Sequence, residues 1–266
     1  MILIKVGGGK NINWDFIAQD LLNLIKKEKL ILVHGASSKR DEIAAKLKCP
    51  SQTVVSPQGI SSVYSNQKAL EIMLMVYAGL VNKQIVAKLQ QYGLKAVGLS
   101  GVDGGLWRAK KKGEIYIKEN GKIKLLKNNL TGRVEIINYN LINLLLKNDY
   151  LPVLCPPAIT YEGEIVNTDN DWAISIMAGF LGISKIVVLF EAPGLLKNPK
   201  DEKTTIRRIK KEKINDYLLY AQGRMKKKIL GAKKAFELGI KTIYWGDGRV
   251  KRPITKALAG KGTIIN

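Results

Sequence analysis

Metal and redox chemistry have little to work with in this sequence. A single histidine, His34, and two cysteines, Cys49 and Cys155, are spread over 266 residues, with neither metal-ligand spacing nor a disulfide framework. A reduced cytoplasm is the expected compartment. No stretch reaches ~18 uninterrupted apolar residues, so no membrane span is expected, and the opening MILIKVGGG lacks the leader and cleavage site of a signal peptide. Aromatic residues make up 7% of the chain and never alternate with basic ones, which argues against the stacking surfaces of nucleic-acid binders. Acidic residues are the most telling shortage: 22 Asp and Glu stand against 44 Lys and Arg, a net charge of +22. Solubility needs far less. Such a field is either a lysine-rich surface or an attractor for a polyanion, whether nucleic acid, a phosphorylated ligand or an acidic protein. The excess is uneven, with eight basic and two acidic residues at 108–127 and a second basic region through 197–234.

What is present is an ordinary globular balance, 46% hydrophobic and 25% charged. Strand-like apolar runs alternate with longer helical patterns, the mark of an α/β chain with a mostly parallel sheet covered by helices. ILIKV and LILVHG read as strands around a helix, INWDFIAQDLLNLIKKE, with apolar residues at Ile17, Leu21, Leu24 and Ile25. The segment NQKALEIMLMVYAGLVNKQIVAKLQQYG predicts a long helix apolar on much of its surface, hence buried or pressed against another subunit. KAVGLSG follows as a strand. Residues 114–126 alternate about Asn120-Gly121, which predicts a basic β-hairpin protruding from the α/β body. YLPVLCPPA and EGEIVNTDND predict a second hairpin leading into a helix at 171–181. After the strand KIVVLF, the turn EAPGLL and a charged loop come the helix RMKKKILGAKKAFELG, the strand KTIYWG, a short helix and the closing GTIIN. A change of role near residue 172 suggests two lobes, 1–172 and 173–266, sharing one sheet.

Glycines leaving a strand let backbone N–H groups approach an anion, and a helix N-terminus adds partial positive charge. KVGGG therefore reads as a phosphate site to which Lys5 brings a full charge, or else as a tight turn. VHGASS repeats the arrangement at Gly35 and Ala36, with Ser37 or Ser38 as the alternative role of helix cap. His34 is either catalytic or a packed strand residue. In VNTDND one acid is expected to cap the following helix, while Asn167 and Asp171 could serve a substrate carboxylate and nearby cations; a calcium loop is excluded by missing ligand positions. Lys226, Lys227 and Lys228 open a helix against its dipole, which invites a compensating anion.

KVGGG, VHG, NTDND, APGLL and QGRMKKK, in this order and over essentially the whole chain, resemble the amino acid kinase family, in its N-acetylglutamate kinase branch. VYAGLVNK, VGLSGVDGGLW and YLPVLCPPAITYEGEIVNTD are similar to the members that phosphorylate the side-chain carboxylate of α-aminoadipate, or glutamate, carried on the acidic protein LysW. The resemblance implies an open αβα sandwich, with the acyl acceptor, carrier and dimer contacts in the first lobe and ATP in the second. It implies that Lys5 and Lys228 neutralise the phosphoryl group in flight and that Asp171 holds both. Gly8, Gly9, Gly35 and Ala36 would contact phosphate oxygens; Gly35, Ala36, Val63 and Asn167 would line the acceptor site. Phe190, Glu191, Gly194, Met225 and Lys228 would lie along ATP, whose Mg2+ is held by phosphates rather than by a dedicated protein site. Trp107, Arg108, Lys110, Lys111 and Lys112, with the basic hairpin, would dock the carrier, and a homodimer is expected. Three places depart from the family pattern: Val63 stands where an arginine clamps the α-carboxylate, Ala36 replaces a glycine, and Phe190-Glu191 replaces the acidic or polar pair that would contact the ribose. Val63 leaves open a kinase of another small acceptor, such as N-acetylglutamate, or a weakened binding protein.

Overall fold

Five buried residues in a row form the first strand, β1 (Ile2–Val6), and a second such run forms β2 (Leu30–His34). Unbroken burial without alternation is what a parallel strand covered on both faces requires. The computed structural model describes residues 1–221 and 223–266; Gln222, part of the QGRMKKK motif, and the side chain of Arg224 lie outside the described residues. After α1 (Trp14–Leu24), α2 (Ser37–Lys46) and a small hairpin of β3 (Thr53–Val55) and β4 (Ser61–Val63) comes a 25-residue helix, Gln67–Gln91. It is α-helical as α3 (Gln67–Met73) and α4 (Asn82–Gln91), with a π-helical segment, Leu74–Val81, between them. By length and composition this helix could cross a bilayer. Here its inner face closes a core over Ala36, Ala44 and Cys155, leaving Met75 and Leu80 outside.

The chain continues through β5 (Ala96–Gly101), β6 (Trp107–Lys111), the hairpin β7 (Ile115–Glu119) and β8 (Lys122–Leu126), β9 (Thr131–Ile137), α5 (Tyr139–Lys147), β10 (Leu151–Ile159) and β11 (Ile165–Thr168). Then follow α6 (Asn170–Phe180), β12 (Lys185–Phe190), a short β13 (Arg208–Ile209), α7 (Arg224–Glu237), β14 (Thr242–Asp247), α8 (Pro253–Leu258) and β15 (Thr263–Ile265). Eleven strands make one sheet in the order β11-β9-β6-β10-β2-β1-β12-β14-β15-β13, with β5 added on β10. Pairings among β5, β10, β2, β1, β12 and β14 are all parallel, and the antiparallel ones lie toward the two ends. The basic hairpin is a separate two-stranded sheet, as its Asn-Gly turn predicts.

The pleat decides which layer each side chain meets. Ile2, Ile4 and Val6 join the core formed with α1 and α8, whereas Leu3 joins the opposite core formed with α6 and α7. Period-two alternation therefore turns Lys5 toward α6 and α7. Register aligns the carboxyl ends: Val6 faces His34 on one side and Leu189 on the other, and Phe190 faces Asp247. The turns after β1, β2 and β12 thus open at one sheet edge, where ligands of open α/β sheets bind.

Candidate active site

Lys5, on the face that β1 turns toward α6 and α7, meets Asp171 in the first turn of α6: Nζ donates to Oδ1 at 2.9 Å. Lys228, from α7, approaches the same carboxylate at 3.3 Å to Oδ2 and 3.4 Å to Oδ1. All three side chains are largely buried, with 6%, 13% and 11% of their surface exposed. Two ammonium groups share one carboxylate, so the cluster carries one positive charge in excess. Burial opposes the charge on Asp171, yet the two lysines hold its carboxyl far below the usual carboxylate range. Burial likewise pulls on both lysines. Lys5, in the shorter contact, is held above its ordinary value by Asp171; Lys228, farther away and repelled by Lys5, is pulled down to about 8. Its ammonium also lies 5.5 Å from the Phe190 ring centroid.

Beside the triad the glycine turns interlock. A Cβ on Gly8 would run into the backbone of Gly35, Ala36 and Ser37. The Gly8 carbonyl accepts from the Ser38 N–H at 2.9 Å and from Ser37 Oγ at 3.3 Å. This carbonyl takes the place of the expected serine cap: the N-cap position of α2 is Ala36, with no side-chain cap. Gly35 differs from its expected role. Its N–H donates to the Val6 carbonyl at 2.9 Å, extending the strand ladder, so it has no proton left for a phosphate. Glycine is needed there for space, because a Cβ would sit 2.9 Å from Gly8 N. The N–H groups of Gly8, Gly9 and Ala36 have no acceptor among the described residues. Spare donors and spare positive charge share the edge, which suits a polyphosphate.

His34 is a packed residue. It is fully buried, its Nε2 lies 3.1 Å from Asn82 Nδ2, and Nδ1 is 3.3 Å from the Gly35 carbonyl. Asn82 donates there and to the Val153 carbonyl at 3.0 Å, so the proton on the neutral ring belongs on Nδ1. Burial pushes its pKa down to about 4. Unfolding then exposes a histidine that binds a proton below about 6.5, so stability is lost as pH falls from 6.5 toward 4. Urea titrations across that window should show about 3 kcal/mol of extra acid sensitivity, which His34→Gln removes. An equally steep profile in His34→Gln would assign it elsewhere.

Asp169 and Asp171 divide the tasks foreseen for VNTDND. Asp169 Oδ1 caps α6 by accepting from Trp172 N at 3.1 Å, and Asp171 faces the lysines. Two of the lysines opening α7 are compensated by these acids, Lys228 by Asp171 and Lys227 by Asp169, which lies 3.7 Å away. Asn167 donates through Nδ2 to Ser65 Oγ at 2.8 Å. Val63 ends β4, half-buried, and lines a pocket described below. Phe190 packs edge-on against Trp245 at 6.3 Å, and Glu191 folds back over the glycine turn, its Oε1 accepting from Asn11 N at 2.6 Å. Gly194 is forced by space, since a Cβ would sit 2.9 Å from Thr263 N. Met225 is half-buried against the main core.

The expected carrier-docking set is split. Trp107 is fully buried in the main core, so it is no surface contact: its alternation on β6 points it inward with Ala109. Arg108 acts as a strut, donating to the Thr160 carbonyl at 2.9 Å, and Lys111 pairs with Glu164 at 2.7 Å. Lys110 and Lys112 are the exposed cations. Arg133 is a further cation at this site, outside the residues that the sequence singles out. It stacks 4.4 Å from the Trp172 ring centroid, with Lys234 at 5.5 Å from the same ring. No linear signal marks that group, because its members come from β9, α6 and α7.

The chain is similar to known proteins along its whole length. A LysW-aminoadipate kinase of Thermus thermophilus is 44% identical over 268 residues, covering 100% of both chains. A LysW-aminoadipate/LysW-glutamate kinase of Saccharolobus islandicus is 32% identical, over 100% of this chain and 99% of that one. Among solved structures, carbamate kinase from Giardia lamblia bound to AMP-PNP superposes with a TM-score of 0.66 at 16% identity, over 99% of this chain and 97% of that one, and so shares the fold. The amino acid kinase family model matches residues 1–244. With its central sheet, its interlocked glycine turns and a sequence aligned to these kinases from end to end, the chain belongs to the amino acid kinase family.

Proposed function

We propose that this protein is an ATP-dependent kinase that phosphorylates the side-chain carboxylate of α-aminoadipate, or of glutamate, joined through its amino group to the C-terminus of the acidic carrier LysW, a step of lysine biosynthesis. The observation that carries the reading is the convergence of Lys5 and Lys228 on Asp171 beside the free N–H groups of Gly8, Gly9 and Ala36. The names of full-length relatives support the acceptor.

In the reaction a carboxylate oxygen forms a bond to the γ-phosphorus, the bond from that phosphorus to the bridging oxygen breaks, and ADP leaves with its electron pair. The acceptor is ionised at neutral pH, so no base is required. The chain's task is placement and charge neutralisation. Lys5 and Lys228 offset the charge of the transferring group; Asp171 keeps both ammonium groups aimed and protonated. Backbone N–H groups bind phosphate oxygens, and Phe190, Glu191 and Met225 lie along the nucleotide. Mg2+ would be held by the phosphates of ATP, where it would offset part of their negative charge.

The lobes divide the work, 1–172 for acceptor and carrier and 173–266 for ATP. A net charge of +22 suits an acidic partner. The basic hairpin exposes Tyr116, Ile123 and Leu125 between its lysines, a mixture of apolar and cationic groups fit for docking an acidic protein. Met75 and Leu80, exposed on the long helix, favour a homodimer.

Incubation with ATP, Mg2+ and aminoadipate-loaded carrier should give an acyl phosphate, trapped by hydroxylamine as the hydroxamate. Val63 favours a second reading, a kinase of another small carboxylate. Robust hydroxamate formation from free N-acetylglutamate, without carrier, would replace the first reading with the second.

A further inference from the structure

A cavity of about 50 Å³ lies between α2, the β3–β4 hairpin and the start of α3. Its walls include Arg40, Ser51, Val63, Tyr64 and Asn66, and Arg40 is the single charged side chain among the lining residues described. Arg40 is 92% buried, being 8% exposed. A guanidinium is rarely placed so deep without a task for its donors.

The donors can be counted. A guanidinium carries five N–H groups. Arg40 Nε and Nη2 both donate to Asp41 Oδ1, at 3.0 and 2.7 Å, and Ser51 Oγ donates to the same oxygen at 2.9 Å. This accounts for one edge of the fork and fixes its orientation. The other edge, formed by Nη1 and the second proton of Nη2, has no acceptor among the described residues. Two parallel N–H groups at such an edge match the two oxygens of a carboxylate.

Position relates this edge to the reaction. Arg40 N donates to the Ala36 carbonyl at 2.8 Å, so Arg40 stands one helical turn beyond the glycine cradle. One turn is about 5.4 Å, a separation that a short dicarboxylate bridges. At about 50 Å³ the cavity has several times the space one water needs, room for a carboxylate and the carbons next to it. Asn167 has one amide proton committed to Ser65 and is acceptor-bearing at its other end, so it is a poor sole anchor for an anion.

We infer that Arg40, on α2, binds the non-reacting α-carboxylate of the acceptor in the cavity that Val63 lines, so that the guanidinium reaches this site from the helix rather than from position 63. Asp41 and Ser51 act as positioning residues. Val63 and Ala44 supply apolar walls for the acceptor's methylene groups. This assignment rests on the carboxylate-kinase reading above and names how that site recognises its substrate.

The test compares carrier loaded with aminoadipate against carrier loaded with its α-carboxamide, with steady-state hydroxamate assays on wild type, Arg40→Met and Arg40→Lys. For wild type, the amide should raise KM roughly 10- to 100-fold, the range of a charged hydrogen-bonded pair. Arg40→Met should raise KM for the acid by a similar factor, with the loss in KM rather than kcat, and should no longer distinguish acid from amide. Arg40→Lys, charged but without the fork, should fall between. Val63→Arg introduced into Arg40→Met should recover part of the acid preference, which a merely structural role of Arg40 would not allow. The inference is overturned if Arg40→Met and Arg40→Lys, folded by circular dichroism, discriminate acid from amide as wild type does, or if wild type itself does not discriminate. Absence of hydroxamate from wild type with every carboxylate acceptor would instead remove the kinase reading, and this assignment with it.

Discussion

Lys228→Met should lower the rate of acyl-phosphate formation by ~1,000-fold or more, and Lys5→Met should do the same, with saturating ATP and carrier. The reacting partners are both anionic, and the site answers them with two ammonium groups around one buried carboxylate, at 2.9 and 3.3 Å. In surroundings this dry, a positive charge is worth far more than in water. Because the two lysines share Asp171, the double variant should fall well short of the product of the single losses. The pH profile separates their roles. Burial pulls Lys228 down to about 8, so kcat/KM of the free enzyme should decline as pH rises through that region. Lys228→Arg, which stays charged, should move the decline upward. A Lys228→Met enzyme within tenfold of wild type would show that the phosphoryl group is neutralised elsewhere.

Asp171→Ala should cost about 3–5 kcal/mol of stability, the scale expected when one partner of a buried ion pair is removed and its counter-charges remain. Here two ammonium groups would be stranded. The sign of the pH effect follows from proton counting. In wild type, Lys228 titrates near 8 in the folded state against 10.5 for a free lysine, so between those values the unfolded chain binds the extra proton. Stability therefore rises with pH across that interval. Removing Asp171 takes away the attraction that keeps Lys5 and Lys228 protonated, so the interval widens and the alkaline recovery grows. Urea midpoints for Asp171→Ala should be low at pH 7 and approach wild type near pH 10. A variant as stable as wild type, with a flat pH response, would mean that the triad is not a dry, charge-balanced cluster. Lys5→Met combined with Asp171→Ala should regain part of the loss at pH 7, since one of the stranded charges is gone.

Local chemistry was easiest to read where the chain itself sets geometry. The Asn120-Gly121 turn specified the hairpin of β7 and β8 because positive φ at both positions, 49° and 78°, matches the twist of the strands. The run ILIKV specified a doubly covered strand, and the single polar residue within it, Lys5, is the one that meets Asp171. The same reasoning failed at Trp107. Charge around "WRAKKK" suggests a surface, but a strand sends neighbouring side chains to opposite faces, and β6 sends its tryptophan into the core. Gly35 showed a similar limit. Its residue type announces close backbone approach, yet whether its N–H faces a ligand or continues the ladder to Val6 depends on the neighbouring strand.

Arg40 lay in an unremarkable stretch, SSKRDE, and became informative only when the β3–β4 hairpin closed over α2 to bury it. Arg133 gained its meaning from Trp172, 39 positions later. By itself the sequence determined the alternation of elements, the glycine turns, the supply of lysines and the family pattern that joins them, because these depend on residue type and short spacing. The tertiary structure decided which lysine keeps the shorter contact with Asp171, which glycine protons stay free and which arginine is buried beside Val63. Those outcomes depend on register, pleat direction and desolvation, which arise only when segments distant in the sequence are packed together.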